Sequence, residues 1–304
     1  MLTVIPNEAV LGATILGADL SVPMADTDFA TVLHALGRYS VLRFPNQTLS
    51  DENLRDFSVR FGRVQGSISH DYDPRGGVPE VSVLSNIRRQ GQPIGLPDAG
   101  QDWHTDMSYR DMRGFVNLLY GVQIPRRDGR ALGGTEFSSM HAVYRALPEE
   151  VKARLEGATA THDYNKLWEH MRCNKGSTRG PLTAEQRAQR PPVSHPVIMI
   201  HPLSGTKVLY CNPGYAEKID GWPAGESDAM VEYLFAFQLG PQFRHTHIWT
   251  EGDLLLWDHL GTIHQAVADY APDEPRLIRR CQVLATEVFT PAFQARMGLA
   301  SGAA

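Results

Sequence analysis

Trp103-His104-Thr105-Asp106-Met107-Ser108-Tyr109 is the stretch on which the reading of this chain turns. Side chains alternate along a β-strand, so His104 and Asp106 leave the backbone on one face. An imidazole nitrogen and a carboxylate oxygen then converge on one point and fill two positions of a facial metal triad. A histidine from a distant strand completes the set used by non-haem Fe(II) oxygenases. His264, in Trp257-Asp258-His259-Leu260-Gly261-Thr262-Ile263-His264, is the candidate. The chain has 12 histidines, enough for a His-x-Asp spacing to arise by chance, so its surroundings decide the matter.

Outward from that stretch the chain reads as mainly β with helical insertions. Residues 39–44, 81–84, 115–122, 197–200, 207–211, 253–257 and 277–288 carry short apolar runs bounded by turn signals. Many short strands of this kind point to a sandwich or barrel rather than a parallel sheet. Phe29, Val32, Leu33 and Leu36 have helical spacing over residues 26–37. A second helix over 51–61 is capped by Ser50 and closed by Gly62. Val143, Leu147, Val151 and Leu155 place helix over 140–157, with Pro148 opening a second piece, and another helix covers 226–238. Residues about 165–195 are polar, rich in Arg, Lys, Gly and Pro, and show no clear period. A segment of that length is expected to be a functional lid or partly disordered, with Arg172, Lys175 and Arg179 as its solvated face or as cations closing over an anion. No repeat or linker divides the chain, so one domain is expected over 1–304, with a helical lid insertion at about 140–195.

The 304 residues suffice for a substantial core. A net charge of −5 gives no electrostatic footprint for nucleic acid, and the pairs Arg126-Arg127 and Arg279-Arg280 are too short to supply one. No apolar run approaches the roughly 20 residues that span a bilayer, so no membrane partner is expected. Cys173, Cys211 and Cys281 are odd in number, far apart and outside any Cys-x-x-Cys pair, which argues against disulfides and thiolate zinc. With no secretory signal at the N-terminus, these thiols point to a reducing, cytoplasmic setting.

Fe(II) chemistry with a keto-acid cosubstrate requires three protein ligands on one face, leaving positions for a bidentate 2-oxo acid and O2. A cation must then hold the far carboxylate of 2-oxoglutarate, a task suited to the planar fork of arginine. Arg276 and Arg280 follow His264 by 12 and 16 residues. If a strand begins just before Leu277, then Arg276, Ile278 and Arg280 share a face and Arg279 points away. The two arginines would lie about 13 Å apart at about 3.3 Å per residue. Such a pair suits two different anions, the cosubstrate and an acidic group of the substrate.

His-Thr-Asp at 104–106, Gly133-Gly134-Thr135-Glu136-Phe137, Trp257-Asp258 with His264, and Arg276-x-x-x-Arg280 occur in that order. Together they resemble the taurine dioxygenase/2,4-dichlorophenoxyacetate dioxygenase family. Arg60-Phe61-Gly62, His195-Pro196-Val197, His201-Pro202 and Leu209-Tyr210-Cys211-Asn212 extend the likeness over almost the whole chain. The resemblance implies a double-stranded β-helix, the cupin-like jelly roll, with Fe(II), 2-oxoglutarate and O2. It implies hydroxylation of a small anionic substrate such as a sulfonate, sulfate ester or carboxylate, with release of succinate and CO2. By the same resemblance His104, Asp106 and His264 are iron ligands, Thr135 and Arg276 bind 2-oxoglutarate, and Arg280 holds the substrate anion. His70 and Trp168 fall where relatives line the substrate pocket, Met107 brings its backbone near it, and a homodimer or homotetramer is implied.

Departures sharpen the expectation. His259 stands in the Trp-Asp segment where the family carries another residue, and is an alternative metal candidate. The glycine segment before Thr135 is one residue short, and residues 67–80 do not reproduce the taurine-binding spacing, so taurine is not the favoured substrate. Asp106 fills the position that halogenases of this fold leave small, which favours oxygenation. His245-Thr246-His247 has strand spacing without a carboxylate partner, and His162-Asp163 reads as a turn. The competing readings are a zinc-dependent hydrolase or isomerase on the same scaffold and a catalytically silent binding module.

Overall fold

Gly114–Gln123 is the strand about which the molecule is organised, because its side chains alternate between two apolar environments. The structure is a computed structural model that describes residues 1–66, 77–97, 99–175 and 180–296. Gly114–Gln123 lies between Leu254–Asp258 and Leu277–Leu284, antiparallel to both, in a seven-stranded sheet. Val41–Phe44, Ala13–Leu16 and Thr3–Pro6 continue the sheet beyond Leu254–Asp258, and Ser82–Ser85 closes the other edge. Only Ala13–Leu16 and Val41–Phe44 pair in parallel among these strands.

One face of this sheet, carrying Val116, Leu118, Leu256, Cys281 and Val283, is covered by helices α1 (Asp26–Tyr39) and α2 (Asp51–Ser58). Phe29, Val32, Leu33 and Leu36 form the buried stripe of α1, as their spacing predicts. Ser50 and Asn53 make a reciprocal capping box at the start of α2, with hydrogen bonds of 3.2 and 3.0 Å. Such a cap stabilises a helix by about 1 kcal/mol. A turn of 3-10 helix at Val59–Phe61 completes the segment up to Gly62.

The opposite face, with Leu119, Leu255, Trp257 and Ile278, packs toward Phe137 and Trp249. Phe137 belongs to Thr135–Ser139, the middle strand of a three-stranded sheet between Arg244–His247 and Thr262–Ala266. A further three-stranded sheet, Val193–Pro196, Thr159–His162 and Ala216–Ile219, builds a second apolar core with α3 (Met140–Ala146), α4 (Glu149–Leu155) and α7 (Ala224–Gln238). Pro148 is the N-cap of α4 and separates it from α3, as the sequence predicts.

The 165–195 segment differs from its sequence reading. Tyr164–Asn174 is an 11-residue helix, α5, whose N-cap Asp163 accepts a 2.8 Å hydrogen bond from Asn165 N. Ala184–Ala188 forms the short helix α6 behind a Thr183–Gln186 capping box. Tyr164, Leu167, Trp168 and Met171 do have i, i+3, i+4, i+7 spacing, but Lys166, Glu169, His170 and Arg172 between them make the segment read as polar. Arg172 pairs with Glu169 on α5 at 2.6 Å, whereas Arg179 lies outside the described residues. No helix among the described residues is long and apolar enough to cross a membrane.

Candidate metal centre

His104 and His264 face each other as an isolated antiparallel bridge. The amide of each donates to the carbonyl of the other, at 3.0 and 2.9 Å. This pairing brings their rings to 4.4 Å between centroids. Register fixes the depth of His264, since Thr262–Ala266 pairs with Thr135–Ser139 and sets His264 opposite Phe137. Asp106 Oδ1 lies 3.4 Å from His104 Nε2, and Asp106 Oδ2 lies 3.7 Å from His264 Nε2. One ligand atom from each residue falls within 4.8 Å of the others, the sole such group of three among the described residues. The three atoms surround a common point at separations of the kind that neighbouring ligands of one small cation have.

Each donor is oriented by a partner. His104 Nδ1 donates to the Asp102 carbonyl at 2.7 Å, which leaves Nε2 as the free lone pair toward Asp106. Asn117, on the central strand, donates from Nδ2 to Asp106 Oδ2 at 2.8 Å. The His264 ring is held between Phe137 and Trp257, with centroids 6.2 and 4.9 Å away. Burial, and then the neighbouring His104, keep His264 well below the ordinary histidine range. Burial works to raise the Asp106 carboxyl, yet His104, Arg280 and His264 together hold it well below the usual range. His104 is raised despite its burial, because the Asp106 carboxylate outweighs that cost. Asp106 therefore draws positive charge to a buried point flanked by two imidazole nitrogens, the donor set of a facial triad.

A cavity of about 510 Å³ opens onto His104 and Asp106. Arg280 and Gln282 line it from the sheet side, and Met107 and Trp168 also line it. Arg280 is buried, and its Nε has no hydrogen-bond partner among the described residues. Arg279 points the other way, with Nε 3.6 Å from Asp51 Oδ1, as strand alternation predicts. Arg276 is also buried, just ahead of Leu277–Leu284, which ends at Leu284 rather than at residue 288. Its backbone is held by Ser85 Oγ, which donates to its carbonyl at 2.7 Å, and by Asn86 Oδ1, which accepts from its amide at 2.8 Å. The Arg276 side chain passes over Gly133, whose φ is +69° and where a Cβ would stand 3.0 Å from Arg276 Nε. Thr135, two residues on, is buried and accepts a 3.0 Å hydrogen bond from Trp249 Nε1.

Met107 is buried with φ +61°, a left-handed conformation that turns the chain directly after Asp106. Trp168 Nε1 donates to the Gly180 carbonyl at 2.8 Å. His70 lies outside the described residues. His259 is buried with its ring 6.3 Å from that of His264, and it does not join the group of three ligands. His245 Nε2 meets Asn7 Nδ2 at 3.3 Å, and His247 Nε2 lies 3.4 Å from Asp253 Oδ2, so neither joins the group. His162 ends a strand and Asp163 caps α5, in place of the turn expected there. Sequence reasoning missed Asn117, Asp102 and the tyrosines of the cavity. An asparagine in the middle of an apolar strand was the one available signal, since a buried amide requires a partner.

The model of the family described as "Taurine catabolism dioxygenase TauD, TfdA family" matches residues 4–282. The chain belongs to that family. Pentalenolactone F synthase of Streptomyces avermitilis is 31% identical over 291 residues, covering 92% of each chain. The alpha-ketoglutarate-dependent 2,4-dichlorophenoxyacetate dioxygenase of Cupriavidus pinatubonensis is 28% identical over 290 residues, covering 92% of this chain and 96% of that one. The crystal structure of AAD-2 in complex with Mn(II) and N-oxalylglycine is similar at a TM-score of 0.77 and 26% identity, over 94% of this chain and 98% of that chain. As a TauD/TfdA member the chain is a 2-oxoglutarate-dependent dioxygenase and uses Fe(II), 2-oxoglutarate and O2.

Proposed function

We propose that this TauD/TfdA member hydroxylates a small organic anion, with His104, Asp106 and His264 holding the iron. The observation that carries the reading is the convergence of these three donors at one end of a cavity where Arg280 offers a buried, unsatisfied guanidinium N–H. The two facing sheets, with the His104–His264 bridge between their ends, form the double-stranded β-helix in this reading. Arg276 and Thr135 hold the distal carboxylate of 2-oxoglutarate, and Arg280 holds the acid group of the substrate. Bound iron supplies the activation of O2 that couples decarboxylation of 2-oxoglutarate, to succinate and CO2, to substrate oxidation.

The chain's own residues do the positioning. Asn117 fixes the Asp106 carboxylate, Asp102 fixes the His104 tautomer, and the Phe137 and Trp257 rings keep water from the rear of His264. Arg280, anchored on a central strand, aims the substrate carbon by gripping its charged end. Hydroxylation at a carbon bearing a heteroatom would end in C–O, C–S or C–N cleavage. The three free cysteines fit a reducing cytoplasm, and we infer a homo-oligomer, dimer or tetramer, for light scattering to test.

Succinate formation with ferrous iron, 2-oxoglutarate and a panel of sulfonates, sulfate esters, aryloxyalkanoates and amino acids tests the reading. If no substrate supports iron-dependent decarboxylation, a zinc hydrolase or isomerase on this scaffold becomes the better account. Arg280→Gln is expected to weaken apparent binding of the organic acid, read as its KM, about tenfold or more, since charge-assisted hydrogen bonds contribute roughly 1.5–3 kcal/mol. The KM for the cosubstrate should move far less, which steady-state kinetics with each varied in turn will show. Gly133→Val should do the converse. A branched side chain there meets both the positive φ and the Arg276 guanidinium, so the KM for the cosubstrate is expected to rise about tenfold or more.

A further inference from the structure

Helix α5 turns its apolar side toward the cavity that holds His104 and Asp106. Tyr164, Leu167, Trp168 and Met171, one stripe of the helix, all line that cavity. Tyr109 and Tyr215 complete the wall. Their rings lie 4.7 Å apart, Tyr109 is 4.7 Å from Tyr164, and Tyr164 stacks on Tyr215 at 6.4 Å and 11°. The Tyr215 ring in turn lies 6.3 Å from His104, so the aromatic wall reaches the metal ligands.

Charge in the cavity is unevenly placed. Arg110 Nη1 donates to Gln65 Oε1 at 2.7 Å, and Arg88 Nη1 donates to the Gly91 carbonyl at 3.0 Å, with Arg88 exposed. Arg280 is the buried guanidinium of the lining, beside Asp106. A ligand placed here therefore meets one deep cation and an extended apolar surface. The volume, about 510 Å³, lies in the roughly 300–1,000 Å³ range of sites that enclose drug-sized molecules. A two-carbon sulfonate would leave most of the aromatic wall facing water. Helix α5 is also fastened beside the segment that carries His104 and Asp106: His170 Nε2 lies 2.6 Å from Asp102 Oδ2, and the Asp102 carbonyl accepts from His104. The wall and the metal ligand thus share one anchoring residue.

We propose that the substrate is an organic acid whose apolar body is larger than a single aromatic ring, and that the inner face of α5 determines this specificity. The acid group sits on Arg280 and the body lies among Tyr109, Tyr164, Trp168 and Tyr215. This inference rests on the assignment of Arg280 given above.

Binding to the full chain, loaded with Mn(II) and 2-oxoglutarate under argon, separates the two levels of the argument. By calorimetry 1-naphthylacetate is expected to bind about tenfold more tightly than phenylacetate, from the extra ring it buries. Trp168→Ala and Leu167→Ala should each cut that preference about three- to tenfold, Trp168→Phe should retain most of it, and Arg280→Gln should weaken both acids. Melting temperatures identify any variant that fails to fold, and the preference of the unsubstituted protein decides the matter by itself. Equal affinity for the two acids, or preference for phenylacetate or 2-aminoethanesulfonate, overturns the proposal. Iron-dependent 2-oxoglutarate decarboxylation measured alongside keeps the outcomes distinct: its presence with no naphthylacetate preference sinks the substrate class alone, and its absence sinks the dioxygenase assignment of the site.

Discussion

Asp106→Ala should abolish succinate formation and release the metal while the protein remains folded. Asp106 is the only negative charge among the three ligands, and it is clamped between the Asn117 amide and the two imidazoles. Loss of a mere supporting partner to a metal ligand typically costs about 10–100-fold in metal affinity or activity. Removal of the anionic ligand itself must exceed that. It also leaves the Asn117 amide without its acceptor and two histidines beside a space that water enters. The charge of Arg280 then faces the metal point without a counter-charge, which further disfavours a dication there. Equilibrium dialysis against Mn(II), read with succinate release, checks both halves. Substrate-dependent succinate release at an unchanged rate would remove Asp106 from the metal site.

The candidate metal centre was legible because its chemistry needs particular residue types in a particular order along the chain. Strand alternation does turn Arg280 away from Arg279. His104 and Asp106 converge by another route than the strand expected there: His104 stands at an isolated bridge and Asp106 in the turn that follows it. The helices were legible where apolar period and cap agreed, as with Phe29, Val32, Leu33 and Leu36, or with Ser50 and Asn53. Helix α5 escaped because its stripe is aromatic and faces a cavity, while charged residues fill the rest of each turn. A helix whose buried side meets a ligand space instead of a core can keep a polar composition and still form. Asp102 and Asn117 escaped for another reason. Asn117 reaches Asp106 from another element, and Asp102 acts on His104 through its backbone carbonyl, which residue type does not report. Gly133, over which the Arg276 side chain passes, is likewise 143 residues away in sequence. Only the register of Thr135–Ser139 against Thr262–Ala266 brings the glycine turn and His264 into one neighbourhood.

Acid should destabilise this fold earlier than carboxylate protonation alone would, through histidines that are buried neutral. His162 is fully buried at the end of its strand, stacked on Tyr210, with neither ring nitrogen hydrogen-bonded among the described residues. Burial, then His195 and Lys166, push it down to about 3. His141 is pushed down to about 4 by burial and then by His201. Both titrate near 6.5 in the unfolded chain, so below that pH the unfolded state binds more protons than the native one. Stability is then complete above pH 6.5 and falls as pH drops, until about 4 for His141 and about 3 for His162. One proton from each histidine gives a slope approaching 3 kcal/mol per pH unit, or about 3 kcal/mol between pH 6.5 and 5, since the unfolded histidines are only half protonated at 6.5. That is a large share of the roughly 5–15 kcal/mol that holds a domain together. Urea unfolding midpoints at pH 7.5, 6 and 5 measure it. His162→Phe keeps a ring against Tyr210 and removes one titrating site, so its slope should fall by the share of one histidine, somewhat over 1 kcal/mol per pH unit. A slope unchanged by His162→Phe would place the acid sensitivity elsewhere in the molecule.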